Sequence, residues 1–193
     1  MNYRSYSDLV NSIIHNVYRL DDDIDLIIGI PRSGILAATV LALHLNKPML
    51  DVDSFVEGRN GWIGRTAQQA QELQRLGDNL SVLVVDDSIL SGKSIEEVRD
   101  RIEKHPAVSK AQFLAVYGAT KHHPQVDIIF ETVPQRRVFE WNLWRHNVLK
   151  NSCLDIDGVL CHKPTKEDIY SDYSYIDFMQ NTPPLFMPLV KVG

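Results

Sequence analysis

Strand-like and helix-like patterns alternate along this chain. Continuous apolar runs that predict buried strands occur at residues 24–30, 49–52, 82–85, 112–118 and 126–130. Apolar positions at helical spacing occur between them, at residues 8–20, 34–45 and 94–105. Ser7 is the predicted cap of the first helix. This alternation predicts an α/β fold in which a central parallel β-sheet is flanked by helices.

The composition and charge of the chain indicate its size class, its expected partners and its expected location. The chain has 193 residues and 44% hydrophobic content, enough for one sizeable core and a small additional unit. Its net charge of −5 and isoelectric point near 5.8 argue against a nucleic-acid partner. Cys153 and Cys161 lack metal-ligand spacing and favour a reducing, cytoplasmic location. No signal peptide or apolar run of membrane-spanning length is visible, so no membrane partner is expected.

Two adjacent acids follow the apolar strand at residues 82–85. Asp86 and Asp87 are expected at its carboxyl end, where open α/β sheets bind their ligands. A turn of small residues, 91–94, then opens a helix, so its amides and the helix N-terminus would hold a phosphate. The two carboxylates would hold sugar hydroxyls or a hydrated metal. One site that combines these two properties suits a phosphorylated ribose.

Residues 82–94 resemble the signature of the type I phosphoribosyltransferases, which bind 5-phosphoribosyl 1-pyrophosphate (PRPP). The resemblance implies that PRPP is bound by Asp86, Asp87, Ser88, Ile89, Leu90, Ser91, Gly92, Lys93 and Ser94. It also implies that Asp86 and Asp87 are catalytic and hold Mg²⁺, the expected cofactor, through its waters. The expected reaction, part of nucleotide metabolism, displaces pyrophosphate from PRPP with a nitrogen-containing acceptor such as a nucleobase.

A second loop follows the strand at residues 24–30. Its glycines, Gly29 and Gly34, allow the backbone to approach a pyrophosphate closely, and Arg32 adds charged donors. The segment resembles the pyrophosphate loop of the same family. That resemblance assigns pyrophosphate binding to Ile30, Pro31, Arg32, Ser33 and Gly34, with Arg32 also catalytic. In the family this loop commonly carries a non-proline cis peptide, which we expect between Ile30 and Ser33.

Two further segments of the predicted transferase domain, residues 1–150, have expected roles. The polar region 53–79 stands where the family carries a lid, and Arg59 and Arg65 are its candidates for contacting pyrophosphate. Residues 134–147, which we call the hood, concentrate arginine and aromatic side chains. Their aromatic residues suit a flat heterocycle, but they equally suit core packing or half of a dimer contact, and a homodimer is expected. The acceptor stays unidentified.

The last segment, residues 151–193, carries a different motif. Its sequence SCLDIDGVLC resembles the first motif of the haloacid dehalogenase-like phosphatases. The resemblance implies Asp155 as nucleophile and Asp157 as general acid/base. Such a phosphatase needs its own sheet and further motif residues, which a tail of this length is not expected to supply. We therefore expect an incomplete phosphatase start, or a simple extension, without phosphatase activity.

Three functions are consistent with these patterns. The first is a Mg²⁺-dependent phosphoribosyltransferase. The second is a non-catalytic regulator that senses PRPP, which the acidic charge and the absence of a basic patch disfavour. The third is the amino-terminal half of a bifunctional phosphoribosyltransferase and phosphatase.

Overall fold

The computed structural model describes residues 1–59, 77, 79–147, 153 and 161–183, without the side chains of Trp144 and Arg145. The chain divides into two compact units, Met1–Trp141 and Asn142–Gly193. The predicted site residues Arg65, Asp155 and Asp157 lie outside the described residues. No helix in the described ranges is long and apolar enough to cross a membrane.

The described residues contain seven strands, of which five form a central parallel sheet. The strands are β1 (Asn2–Arg4), β2 (Leu26–Gly29), β3 (Met49–Asp51), β4 (Leu80–Ile89), β5 (Val108–Gly118), β6 (Ile128–Thr132) and β7 (Arg137–Phe139). The central order is β3–β2–β4–β5–β6, and β1 pairs in parallel with β7 in a separate small sheet. The chain order reverses between β2 and β4, and open α/β sheets bind ligands at such a point.

Helices cover both faces of the central sheet. In the first unit the helices are α1 (Tyr6–Asn16), α2 (Ser33–Leu45), α3 (Val52–Val56) and α4 (Lys93–Glu103), with a 3₁₀ turn at Val17–Arg19. A further 3₁₀ turn spans Glu140–Arg145, and the second unit contains α5 (Asp172–Asn181). Residues of α1 and α2 share one core cluster with Leu83 and Val85, and residues of α3 and α4 share another with Val82 and Val84. Residues 82–85 of β4 are buried on both faces of the sheet, and this part of the strand is apolar without interruption. The predicted α/β fold is confirmed.

Several element boundaries differ from those predicted, including the start of α1 and the end of β4. The cap of α1 is Ser5, not Ser7: its hydroxyl accepts a hydrogen bond from the Asp8 amide at 3.1 Å, and the Asp8 carboxylate accepts one from the Ser5 amide at 2.8 Å. The strand predicted at 82–85 extends to Ile89, because β5 continues to pair with it as far as Gly118. Asp86 and Asp87 therefore lie within β4 rather than beyond its end.

The beginning of the predicted lid region belongs to the core. Residues 53–56 are part of α3, and Phe55 is buried against the cluster that includes α4. The Asp53 carboxylate forms a 2.7 Å ion pair with Arg101 of α4. Residues 60–76 and 78 are outside the described part of the chain.

Candidate active site

The predicted pyrophosphate loop, residues 30–34, lies directly against β4. Pairing between β2 and β4 ends at Gly29 and Val85, and the Ile30 amide then donates to the Val85 carbonyl at 2.9 Å. A Cβ atom at Gly34 would lie 2.7 Å from the Val85 carbonyl oxygen and 3.0 Å from Asp86 Oδ1. Only glycine permits this approach, which brings the two loops predicted to share a ligand to the same edge of the sheet.

The backbone of this loop has the conformation that the resemblance implies. The peptide bond between Pro31 and Arg32 is cis, within the predicted interval. Arg32 itself is exposed at the start of α2. Its guanidinium therefore stands at the surface of the loop, where an anion can reach it.

Asp86 and Asp87 form a close acidic pair. Asp87 is only 4% exposed, and its amide donates to Asp86 Oδ1 at 2.9 Å. Burial, and then the charge and hydrogen bonding of the Asp87 carboxylate, raise the pKa of Asp86 to about 8. Neither side chain forms an ion pair within the described part of the chain, so no cationic side chain there neutralises the charge that the pair carries.

The segment after the acids lines a cavity of about 300 Å³. The lining residues are Asp86, Ser88, Ile89, Leu90, Ser91, Gly92, Lys93, Ser94, Ile95 and Arg137. Gly92 has a φ of +76°, and a Cβ there would collide with the His123 ring. Helix α4 begins at the next residue without a side-chain cap, which leaves its first amides to other acceptors. The predicted phosphate loop, residues 88–94, is thus one wall of a polar cavity.

The hood contacts this site in ways that the sequence did not suggest. Trp141 Nε1 donates to Asp87 Oδ2 at 2.7 Å, and Arg137 lines the cavity. No local sequence pattern predicts these contacts. They depend on the pairing of β7 with β1, and these two strands are far apart in the sequence. The only available signal was the concentration of arginine and aromatic residues in the hood.

The aromatic residues of the hood have different surroundings. Phe139 is buried in the core and stacks on Tyr117 at 5.4 Å and on Trp141 at 5.1 Å between ring centroids. Phe139 therefore packs in the core. Trp141 is partly exposed, between this stack and Asp87.

Of the lid candidates, Arg59 is exposed and its Nε pairs with Glu57 at 2.9 Å.

Known proteins share both sequence and architecture with this chain. Residues 2–144 match the model of the phosphoribosyl transferase domain. The xanthine-guanine phosphoribosyltransferase of a Ruegeria species is 31% identical over 127 residues, which cover 61% of this chain and 68% of that protein. The xanthine-guanine phosphoribosyltransferase of Roseobacter denitrificans is 29% identical over 126 residues, which also cover 61% of this chain and 68% of that protein.

Two solved structures share the fold. The purine phosphoribosyltransferase from Pyrococcus horikoshii Ot3 is 23% identical, with a TM-score of 0.52 over 72% of this chain and 92% of that one. The Helicobacter pylori xanthine-guanine-hypoxanthine phosphoribosyltransferase is 20% identical, with a TM-score of 0.50 over 78% and 95%. Together with the match of residues 2–144, these findings identify the chain as a transferase enzyme: it belongs to the phosphoribosyl transferase domain family.

Proposed function

We propose that this enzyme transfers the phosphoribosyl group of PRPP to a purine base in a Mg²⁺-dependent reaction. The observation that carries the proposal is the cavity at the end of β4, which combines an acidic side chain with uncapped helix amides. A ligand that fits it needs an anionic group at one end and metal-binding or hydroxyl groups at the other. PRPP has both.

In this proposal the cavity holds PRPP in one orientation. The 5-phosphate lies on the phosphate loop, at the N-terminus of α4. The ribose hydroxyls face Asp86 and Asp87, and the pyrophosphate extends toward residues 30–34. The approach of Gly34 to Asp86 supports this orientation, because it keeps the two anion-binding loops within the length of one ligand.

The acidic pair fits Mg²⁺ bound together with substrate. No group of three or more His, Cys, Asp or Glu side chains suited to a metal occurs among the described residues. Magnesium commonly keeps several waters and is held by one or two carboxylates plus substrate phosphates. Asp86 and Asp87 would hold it, and its charge would neutralise the pyrophosphate.

The reaction is a displacement at C1 of the ribose. The bond from C1 to the pyrophosphate oxygen breaks and its electron pair leaves with pyrophosphate. A bond forms from a ring nitrogen of the base to C1, and the proton of that nitrogen passes to water. Because C1 becomes oxocarbenium-like, the residues of the site act by orienting the ribose and by stabilising charge on the leaving group. Arg32 is the residue of the pyrophosphate loop that we assign to that charge.

A purine acceptor is supported by the relatives. Two curated proteins that match this chain are described as xanthine-guanine phosphoribosyltransferases. The partly exposed Trp141 ring, beside Asp87, offers a flat surface for a heterocycle.

The proposal is tested by incubating the full chain with labelled PRPP, Mg²⁺ and one base at a time. Xanthine, guanine, hypoxanthine, adenine and orotate form the panel, and chromatography separates any labelled nucleotide. We expect a nucleotide with at least one 6-oxopurine and none with orotate. The Asp86→Asn, Asp87→Asn double variant serves as the control and should form none. PRPP binding without any product would instead support the regulator.

A further inference from the structure

We propose that Arg137, from strand β7 of the hood, is a further substrate-binding residue whose guanidinium binds the 5-phosphate of the sugar phosphate. The inference rests on the proposed function for the identity of the ligand. Arg137 lies outside residues 82–94, the segment that resembles the family signature, and it would bind the 5-phosphate together with the phosphate loop, residues 88–94.

Arg137 lines the same cavity as the phosphate loop. Its Nη2 donates to the Ile89 carbonyl at 2.7 Å, and its Nη1 makes a longer contact, at 3.5 Å, with the Tyr117 carbonyl. The guanidinium also lies 5.4 Å from the Phe139 ring centroid. These contacts hold the group over the carboxyl ends of β4 and β5, beside the loop.

Arg137 is partly buried, and no ion pair involves it within the described part of the chain. Burial lowers the pKa of Arg137, whereas the charge of Asp87 raises it. A guanidinium has five N–H donors, and the two carbonyls accept from only part of this set. The remaining donors suit a phosphate dianion, which arginine binds with two parallel hydrogen bonds.

The neighbouring residue provides a matched comparison. Arg136 is exposed, has a φ of +61°, and does not line the cavity. Substituting either arginine by methionine removes the same charge from adjacent positions. A difference in ligand binding between the two variants therefore reports on location rather than on net charge.

The test uses two probes that report on opposite ends of the site. Ribose 5-phosphate reports on the phosphate loop, and pyrophosphate with Mg²⁺ reports on residues 30–34. We expect Arg137→Met to weaken ribose 5-phosphate binding about tenfold or more, as loss of a charge-assisted hydrogen bond predicts. Binding of Mg²⁺-pyrophosphate should change less than about twofold, and Arg136→Met should leave both affinities unchanged.

A structural role for Arg137 makes a different prediction. If the guanidinium only caps the carbonyls of Ile89 and Tyr117, its loss lowers the melting temperature while ribose 5-phosphate still binds as in the parent, or weakens both probes equally. Either result overturns the inference. A parent protein that binds neither probe contradicts the proposed function itself, and the inference falls with it.

A measurement on the parent protein applies even where Arg137→Met does not fold. Phenylglyoxal modifies accessible arginines, and peptide mass spectrometry locates them. We expect ribose 5-phosphate to protect Arg137 but not Arg32, and Mg²⁺-pyrophosphate to protect Arg32 but not Arg137. Equal modification of Arg137 with and without ribose 5-phosphate overturns the inference.

Discussion

At the scale of single residues, the site depends on close approaches between small or buried groups. Gly34 lies against Asp86, Gly92 lies against His123, and Asp87 is almost fully buried beneath Trp141. The sequence predicted the acids and the glycines, because a strand followed by paired acids and a small-residue turn is a local pattern. It did not predict Trp141 as a partner of Asp87 or Arg137 as part of the cavity wall, because those contacts form only in the folded unit.

The raised pKa of Asp86 predicts how stability depends on pH. The folded protein holds the Asp86 proton up to about pH 8, whereas the unfolded chain loses it near 3.8. The stabilising contribution of this group is thus fully present below pH 3.8 and is lost as pH rises through about 8. We expect Asp86→Asn, which mimics the neutral acid, to be more stable than the metal-free parent at pH 8, by at least about 1 kcal/mol.

Urea unfolding at pH 5 and pH 8 measures this effect. The difference between variant and parent should be larger at pH 8, and Asp22→Asn, at an exposed carboxyl, should change little at either pH. A parent that is as stable as Asp86→Asn at pH 8 would show that Asp86 is ionised in the folded protein without cost. The same variant should lose PRPP binding, so stability and function would move in opposite directions.

At the scale of elements, unequal strand lengths create the site. β2 stops pairing with β4 at Val85, whereas β5 pairs with it as far as Ile89. Asp86 and Asp87 therefore lie on a strand whose other side is open to the predicted pyrophosphate loop. Apolar patterning identified the strand but placed its end too early, because polar residues inside β4 interrupt the pattern that marks a buried strand.

A hydrogen bond from Trp141 joins the hood to Asp87, and it can be removed while an aromatic ring is kept at position 141. Trp141→Phe keeps a ring beside Phe139 but leaves the buried Asp87 carboxylate without the Nε1 donor. We expect a loss of about 1–3 kcal/mol in the free energy of unfolding and weaker PRPP binding. Urea unfolding and calorimetric titration measure the two effects.

Tyr6 supplies the control for this prediction. Its ring lies 5.8 Å from that of Trp141, and Tyr6→Phe alters an aromatic neighbour without touching Asp87. It should leave PRPP affinity unchanged. Equal PRPP affinity in Trp141→Phe and the parent would show that the hydrogen bond from Trp141 to Asp87 does not contribute to PRPP binding.

At the scale of the whole molecule, the fold of the first unit was predictable and the arrangement of its hood was not. Alternating strand and helix patterns predict a parallel sheet with helices on both faces, and connection rules leave few topologies. The pairing of β1 with β7 joins residues near the two ends of the unit, and short strands such as Asn2–Arg4 carry little periodicity. Such long-range pairing is set by packing of the completed core rather than by local sequence.

Thermal unfolding shows directly whether the acidic pair and its loops form a site for PRPP and Mg²⁺. A ligand that binds only the folded protein adds about 2.7 kcal/mol at one hundred times its Kd. We predict that Mg²⁺ with PRPP raises the melting temperature of the full chain by several degrees, and that the Asp86→Asn, Asp87→Asn double variant loses most of this increase. An unchanged melting temperature in the parent, or an equal increase in the double variant, would show that the acidic pair does not bind PRPP with Mg²⁺.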